Sequence, residues 1–119
     1  MFRTSVSDAQ VAVFKALGHP TRLRIVEILA TQGSKCVCEL VDMLDFDQST
    51  ISKHLALLRS VGIVRCAKEG LMVRYDLNMR CVFGFMKCIE RVETGSGEGL
   101  ECGHACMTGG MVEGVESND

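Results

Sequence analysis

The spacing of apolar residues switches from helical to strand-like at about residue 63 and back again at about residue 79, and this limits the folds open to the chain. Before the first switch, Val11, Val13, Phe14 and Leu17, then Leu23, Ile25, Val26, Ile28 and Leu29, recur at helical spacing. After it, Ile63–Ala67 and Leu71–Leu77 read as two strands joined by the turn Lys68-Glu69-Gly70, where Gly70 supplies the unusual backbone angle of a short hairpin. Helical spacing returns from about Met79 to Val92. A fold that is mainly α with one small β-hairpin follows.

Local signals place the helix ends. Ser7 suits the N-cap of a first helix from Asp8 to Leu17, and Gly18-His19-Pro20 interrupts the pattern. Pro20 fits the first turn of a second helix that Gly33 ends, and His19 before it is read as structural. A third, short helix covers about Val37 to Leu44. Asp45-Phe46-Asp47 is then a tight turn, and Asp47 or Ser49 caps a fourth helix running to about Arg59. Gly62 sits where a C-terminal glycine belongs.

Two short helices joined by a three-residue turn form a helix-turn-helix, whose second helix can enter the major groove of DNA while the first crosses the backbone. That second helix opens with Gln48, Ser49, Thr50, Ser52, Lys53 and His54, side chains suited to base edges and phosphates. Ile51, Leu55, Leu57 and Leu58 supply an anchoring stripe. The hairpin, with Lys68 and Arg74, is a candidate wing touching the flanking backbone or minor groove. Charge agrees when counted by segment. The whole chain is −2, yet residues 50–80 carry six Lys/Arg against two Asp/Glu, and residues 81–119 carry two against seven. A central basic block is the footprint of a nucleic-acid surface.

With 119 residues the chain holds one ordinary domain and a tail. We divide it into a winged helix-turn-helix DNA-binding and dimerisation domain at 1–93 and a mobile, acidic tail at 94–119. Six of the twelve glycines fall between Gly95 and Gly110. The fifth helix carries Val82, Phe83, Phe85, Met86 and Ile89, an apolar surface that needs a partner, and a symmetry mate is the expected one. No apolar run approaches the roughly 20 residues that span a bilayer, so the expected compartment is the cytoplasm.

There, seven cysteines do not read as a disulfide framework. Cys36-Val37-Cys38 offers two soft thiolates one residue apart, a ligand class that selects thiophilic ions. On a regular helix positions i and i+2 point to nearly opposite faces, so sharing one ion should distort the start of the third helix. Two thiols are too few for a tight site, and the tail offers Cys102-Gly103-His104-Ala105-Cys106. Cys102 and Cys106 either complete the shell, form a second site or stand by. Cys66, Cys81 and Cys88 are expected in the core, where thiols are inert.

Several stretches together resemble the ArsR/SmtB family of metal-sensing repressors: Phe14 through Ile25, Cys36-Val37-Cys38-Glu39-Leu40, Gln48 through Arg59, and Gly70 through Tyr75. The resemblance covers about residues 9–92. It implies a homodimeric winged helix-turn-helix that binds double-stranded operator DNA and lets go when an inducer binds. The Cys-Val-Cys box is similar to the family's arsenic-responsive type, which implies arsenite or antimonite, As(III) or Sb(III), as inducer, with Cd, Pb or Zn as alternatives. The arsenic-type box usually has a further cysteine where Val41 stands here. The family's zinc-type site on the last helix has no counterpart, since Met79 to Glu93 holds no histidine. A thiol-redox or persulfide sensor on the same scaffold is the other reading. An enzyme is disfavoured, because the chain has no nucleotide loop and no coherent nucleophile and base. A metal buffer protein would leave the helix-turn-helix unexplained.

Overall fold

The computed structural model describes residues 5–95. Among these, the elements in chain order are α1 (Asp8–Leu17), α2 (Pro20–Gln32), β1 (Lys35–Cys36), α3 (Val37–Leu44), α4 (Gln48–Ser60), β2 (Val64–Glu69), β3 (Met72–Leu77) and α5 (Arg80–Thr94). The chain divides into two compact units, Met1–Asn78 and Met79–Asp119. No helix among the described residues is long and apolar enough to cross a membrane.

In the first unit the helix ends fall where side chains can satisfy orphan backbone groups. At α1, Ser7 Oγ accepts from the Gln10 N–H at 3.1 Å while Gln10 Oε1 accepts from the Ser7 N–H at 2.9 Å, a reciprocal cap. At α2 the cap is His19, whose Nδ1 accepts from the Thr21 N–H at 3.1 Å, with Pro20 at the first helical position. Asp45 closes α3 in the left-handed region at φ 62°. Aspartate tolerates that conformation better than most residues. Two residues later Asp47 Oδ1 accepts from the Thr50 N–H at 2.9 Å and starts α4. The Thr50 hydroxyl and N–H hold the Asp47 carboxyl below the usual carboxylate range. Asp47→Ala should therefore fray the front of α4 and cost about 1 kcal/mol, measured by urea denaturation. An unchanged midpoint would show that the cap contributes nothing.

The core of this unit is aliphatic. Ile25, Val26 and Leu29 of α2, Leu40 of α3, and Ile51, Leu55 and Leu58 of α4 are essentially inaccessible, as are Ile63, Val64 and Leu77 beside and within the sheet. Each fully buried side chain of this size favours folding by about 1.5–3 kcal/mol. The buried stripe of α4 leaves its opposite face to solvent.

The sheet departs from the expected hairpin in two ways. It has three strands in the order β1-β3-β2, all antiparallel, with Cys36 opposite Arg74 and Cys66 opposite Tyr75. Strand β1, only two residues long, carries no periodicity that a sequence could display. The hairpin loop is also shorter than expected: Glu69 pairs with Met72, so Lys68 and Glu69 belong to β2 and the loop is Gly70-Leu71. A two-residue loop with Gly70 at φ 65° matches the twist of the flanking strands.

The second unit, in its described part, is α5, ended by Gly95 in the left-handed region. Val82 and Cys88 are buried, whereas Ile89 and Val92 are 51% and 66% exposed. Lys87 pairs with Glu90 at 2.8 Å and lies over the Phe83 ring at 5.8 Å.

Candidate functional site

Helix α4 packs on α3 and α2 through Ile51, Leu55 and Leu58, which turns its other face outward. Gln48, Ser49 and Lys53 are exposed on that face, and Thr50 and Ser52 are half-buried. Ser49 Oγ donates to Asp47 Oδ1 at 3.4 Å. Lys68 stands exposed on β2.

Two residues expected at DNA have partners within the protein. His54 lies half-buried on the inner side of α4, where its Nδ1 is 3.2 Å from Arg22 Nη1 and its ring is 4.6 Å from the His19 ring. Arg22 also donates from Nε to the Ala16 carbonyl. One guanidinium thus ties the end of α1 and the start of α2 to α4, a network that helical periodicity does not reveal. The reason lies in rotation: His54 follows Lys53 by about 100° of helix and so faces back toward α2.

Burial is the main influence that pushes the His54 pKa below its ordinary value, and the nearby His19 and Arg22 charges add to it. The sign of the pH effect follows. As pH falls through about 6.5 the unfolded chain takes up this proton, while the folded chain resists until lower pH, so stability is lost across that interval. His54→Gln should flatten the pH dependence of the urea midpoint between about pH 7 and pH 5. An identical profile in the variant would remove His54 from the account.

Arg74, the other expected DNA contact, turns toward β1 and α3. Its Nε donates to Ser34 Oγ at 3.2 Å and its Nη2 to the Ser34 carbonyl at 2.9 Å. Nη2 also lies 3.5 Å from Glu39 Oε1, and Nε 3.6 Å from Glu69 Oε1. The pairing of β1 with β3 brings this side chain to Ser34, and without β1 it would project from a free edge.

The same strand repositions the thiols. Cys36 is the extended N-cap residue of α3 at φ −91° and ψ 167°, not its first helical residue, and Cys38 is the second residue of the helix. The expected divergence of i and i+2 therefore fails, because only one of the two cysteines has helical geometry. The two Sγ atoms are 2.8 Å apart, with Cys36 buried and Cys38 exposed. The hydrogen bond with the Cys36 thiol is the largest influence raising the Cys38 pKa. Glu39 Oε1 accepts from the Cys36 N–H at 2.9 Å. That bond, ahead of the Cys36 thiol and the Arg74 and Lys35 charges, holds the Glu39 carboxyl low. The pair suits a soft ion or metalloid as a bidentate thiolate ligand. No group of three or more His, Cys, Asp or Glu gathers to complete a shell among the described residues. Cys102 and Cys106 lie outside them.

The other cysteines correct the expectation of three core thiols. Cys88 is buried but disulfide-bonded rather than an inert free thiol, Cys66 is half-buried on β2, and Cys81 is exposed in the first turn of α5. Cys66 shares the face of the buried Val64 but lies farther along β2 toward the exposed hairpin end, and Cys81 stands at a helix start.

Residues 19–65 match the family described as "Bacterial regulatory protein, arsR family". Over 93 residues the chain is 36% identical to the arsenical resistance operon repressor of Bacillus subtilis, a match covering 75% of this chain and 86% of that one. It is 53% identical over 58 residues to an uncharacterized HTH-type transcriptional regulator of Methanocaldococcus jannaschii, covering 49% of this chain and 65% of the other. It is 41% identical over 66 residues to a cadmium resistance transcriptional regulatory protein homolog of Staphylococcus aureus, covering 56% and 54%. The chain thus spans between half and two thirds of the length of these last two relatives. Among solved structures, HlyU from Vibrio cholerae is similar with a TM-score of 0.65 at 32% identity, covering 76% of this chain and 97% of that one. A homodimeric winged helix-turn-helix DNA-binding domain from Mycobacterium bovis is similar with a TM-score of 0.61 at 27% identity, covering 83% and 94%. Helix-turn-helix, hairpin wing and matched relatives agree on a regulator rather than an enzyme, and the chain belongs to the ArsR family of regulatory proteins.

Proposed function

We propose that this protein is a cytoplasmic, homodimeric transcriptional repressor that releases its operator DNA when Cys36 and Cys38 capture a thiophilic metal or metalloid. Trivalent arsenic or antimony is the inducer we favour. The observation that carries the reading is the 2.8 Å approach of the two Sγ atoms at the start of α3, the helix that supports α4. Two thiols already side by side can engage one soft ion together as they lose their protons. Capture of one ion by both sulfurs replaces their hydrogen bond and resets their separation. That change falls on the N-cap of α3. A few kcal/mol of preference between the DNA-competent and incompetent states suffices for release.

DNA is read by the front of α4, Gln48, Ser49, Thr50, Ser52 and Lys53, with Lys68 of the wing on the flanking backbone. Dimerisation rests on α5, whose Ile89 and Val92 stay exposed on an amphipathic helix, and the homodimeric Mycobacterium bovis domain supports it. The cadmium resistance relative keeps cadmium, with lead or zinc, as the second inducer class.

The test is a titration of arsenite, antimonite, cadmium, lead and zinc into a preformed protein–DNA complex under reducing conditions. Release by arsenite and antimonite alone is expected. Release by none of the five would remove metal sensing and leave a thiol-redox or persulfide regulator. Ser52→Ala combined with Lys53→Ala should weaken DNA binding and lower its salt dependence. Unchanged binding would place the reading surface elsewhere.

A further inference from the structure

The contacts of Arg74 form a path between the two parts of the molecule that the proposed function leaves unconnected, the thiol pair and the wing. In the β1–β3 register Arg74 stands directly opposite Cys36. Cross-strand partners share one face of a sheet, and so do their neighbours two residues away. Arg74 accordingly reaches back to the hydroxyl and carbonyl of Ser34. The same guanidinium lies within 3.5 Å of Glu39, whose carboxylate holds the backbone N–H of Cys36. At 3.6 Å it also meets Glu69, the last residue of β2 before the hairpin loop. One side chain, 30% exposed, thereby touches the β1 approach, the first turn of α3 and the tip of the wing.

We propose that Arg74 is the positioning residue that carries the state of the Cys36–Cys38 pair to the wing. The inference rests on the reading of those cysteines as the inducer site. Ion capture that resets the separation of the two sulfurs displaces Cys36, and its N–H takes the Glu39 carboxylate with it. Arg74 then loses its geometry toward Glu39 or follows it. In either case the hold of α3 on β3 through this guanidinium changes, and with it the way the wing is seated against α3. The wing and α4 must sit on one DNA surface together, so a wing displaced against the reading helix weakens binding even where α4 itself has not moved. Lysine would not serve equally, because a guanidinium offers several donors in a fixed plane and can hold Ser34 and Glu39 at once.

The test uses the full chain, a DNA fragment that it selects from a random-sequence library, and arsenite and cadmium as probes. Probe uptake is read from thiolate-to-metal absorption in the free protein. DNA affinity is read by gel shift without and with saturating probe, and the ratio of the two affinities is the coupling. For the wild type, a ratio in the usual range of about 5–150-fold is expected. Arg74→Gln and Glu39→Gln should take up the probe at wild-type affinity while the ratio collapses toward one. Glu39→Gln retains an oxygen for the Cys36 N–H and so keeps the helix cap, which covers the case in which Arg74→Gln does not fold. A wild-type ratio in either folded variant, with uptake intact, overturns the proposal. So does an Arg74→Gln that loses affinity equally with and without probe, since Arg74 would then be a DNA contact. A wild type that neither absorbs nor releases DNA with either probe refutes instead the assignment of Cys36 and Cys38, and this inference falls with it.

Discussion

Cys36→Ser and Cys38→Ser are each expected to bind operator DNA as the wild type does and to hold it when arsenite is added. The expectation follows from separation. The reading residues from Gln48 to Lys53 lie on α4, whereas the thiols lie at the N-terminus of α3, and neither Sγ is part of the α4 surface. Serine keeps the size and hydrogen-bonding capacity of the side chain but offers a hard oxygen in place of a soft thiolate. The buried Cys36 position gives the more demanding test, because serine there must satisfy its hydroxyl, and the adjacent Cys38 offers a partner. Loss of the whole inducer-driven change in affinity, about 5–150-fold for coupled sites, is the expected outcome in gel shifts. Variants that release DNA at wild-type arsenite concentrations would move the sensor away from α3. Replacing Cys102 and Cys106 then becomes decisive, since weakened arsenite uptake would make the tail part of the shell.

Leu55→Ala should have the largest effect on stability. Leu55 is fully buried on α4, between Ile51 and Leu58 on the same stripe. Truncating a leucine in such a site costs about 2–5 kcal/mol, through lost burial and the cavity left behind. Against a total of about 5–15 kcal/mol this is a substantial part of what holds a domain together. Lys53→Ala, two residues earlier and exposed, should change stability by no more than about 0.5 kcal/mol. Urea denaturation at one fixed protein concentration separates the two. A Leu55→Ala loss below about 1 kcal/mol would mean that α4 is not anchored through this stripe.

Much of the architecture was legible because its signals are local. Ser7, Pro20, Gly33 and Asp47 stand at helix ends where an N–H or carbonyl would otherwise lack a partner, and each fixes a boundary without reference to the rest of the chain. Most of the buried stripe, Ile51, Leu55 and Leu58, was legible for a related reason, since helical spacing shows which residues must leave water together, whereas Leu57, expected on the same stripe, is exposed. The family motif spanning α2 to the start of β2 lies in the same stretch.

What the tertiary structure alone decided lies where one segment meets another distant in sequence. Strand β1 exists only because β3, some forty residues later, pairs with Lys35 and Cys36, and two residues are too few to show a period. That pairing makes Cys36 an extended cap instead of a helical residue, and so brings together two thiols that helical geometry would set apart. It also turns Arg74 toward Ser34 and Glu39, just as the packing of α4 on α2 turns His54 toward Arg22 and His19. Sequence determines which groups a residue can offer and how often they recur along the chain. Which partner each group meets depends on contacts that form only when the chain closes on itself, because hydrogen bonds and packing act over a few ångströms of space whatever the separation along the backbone.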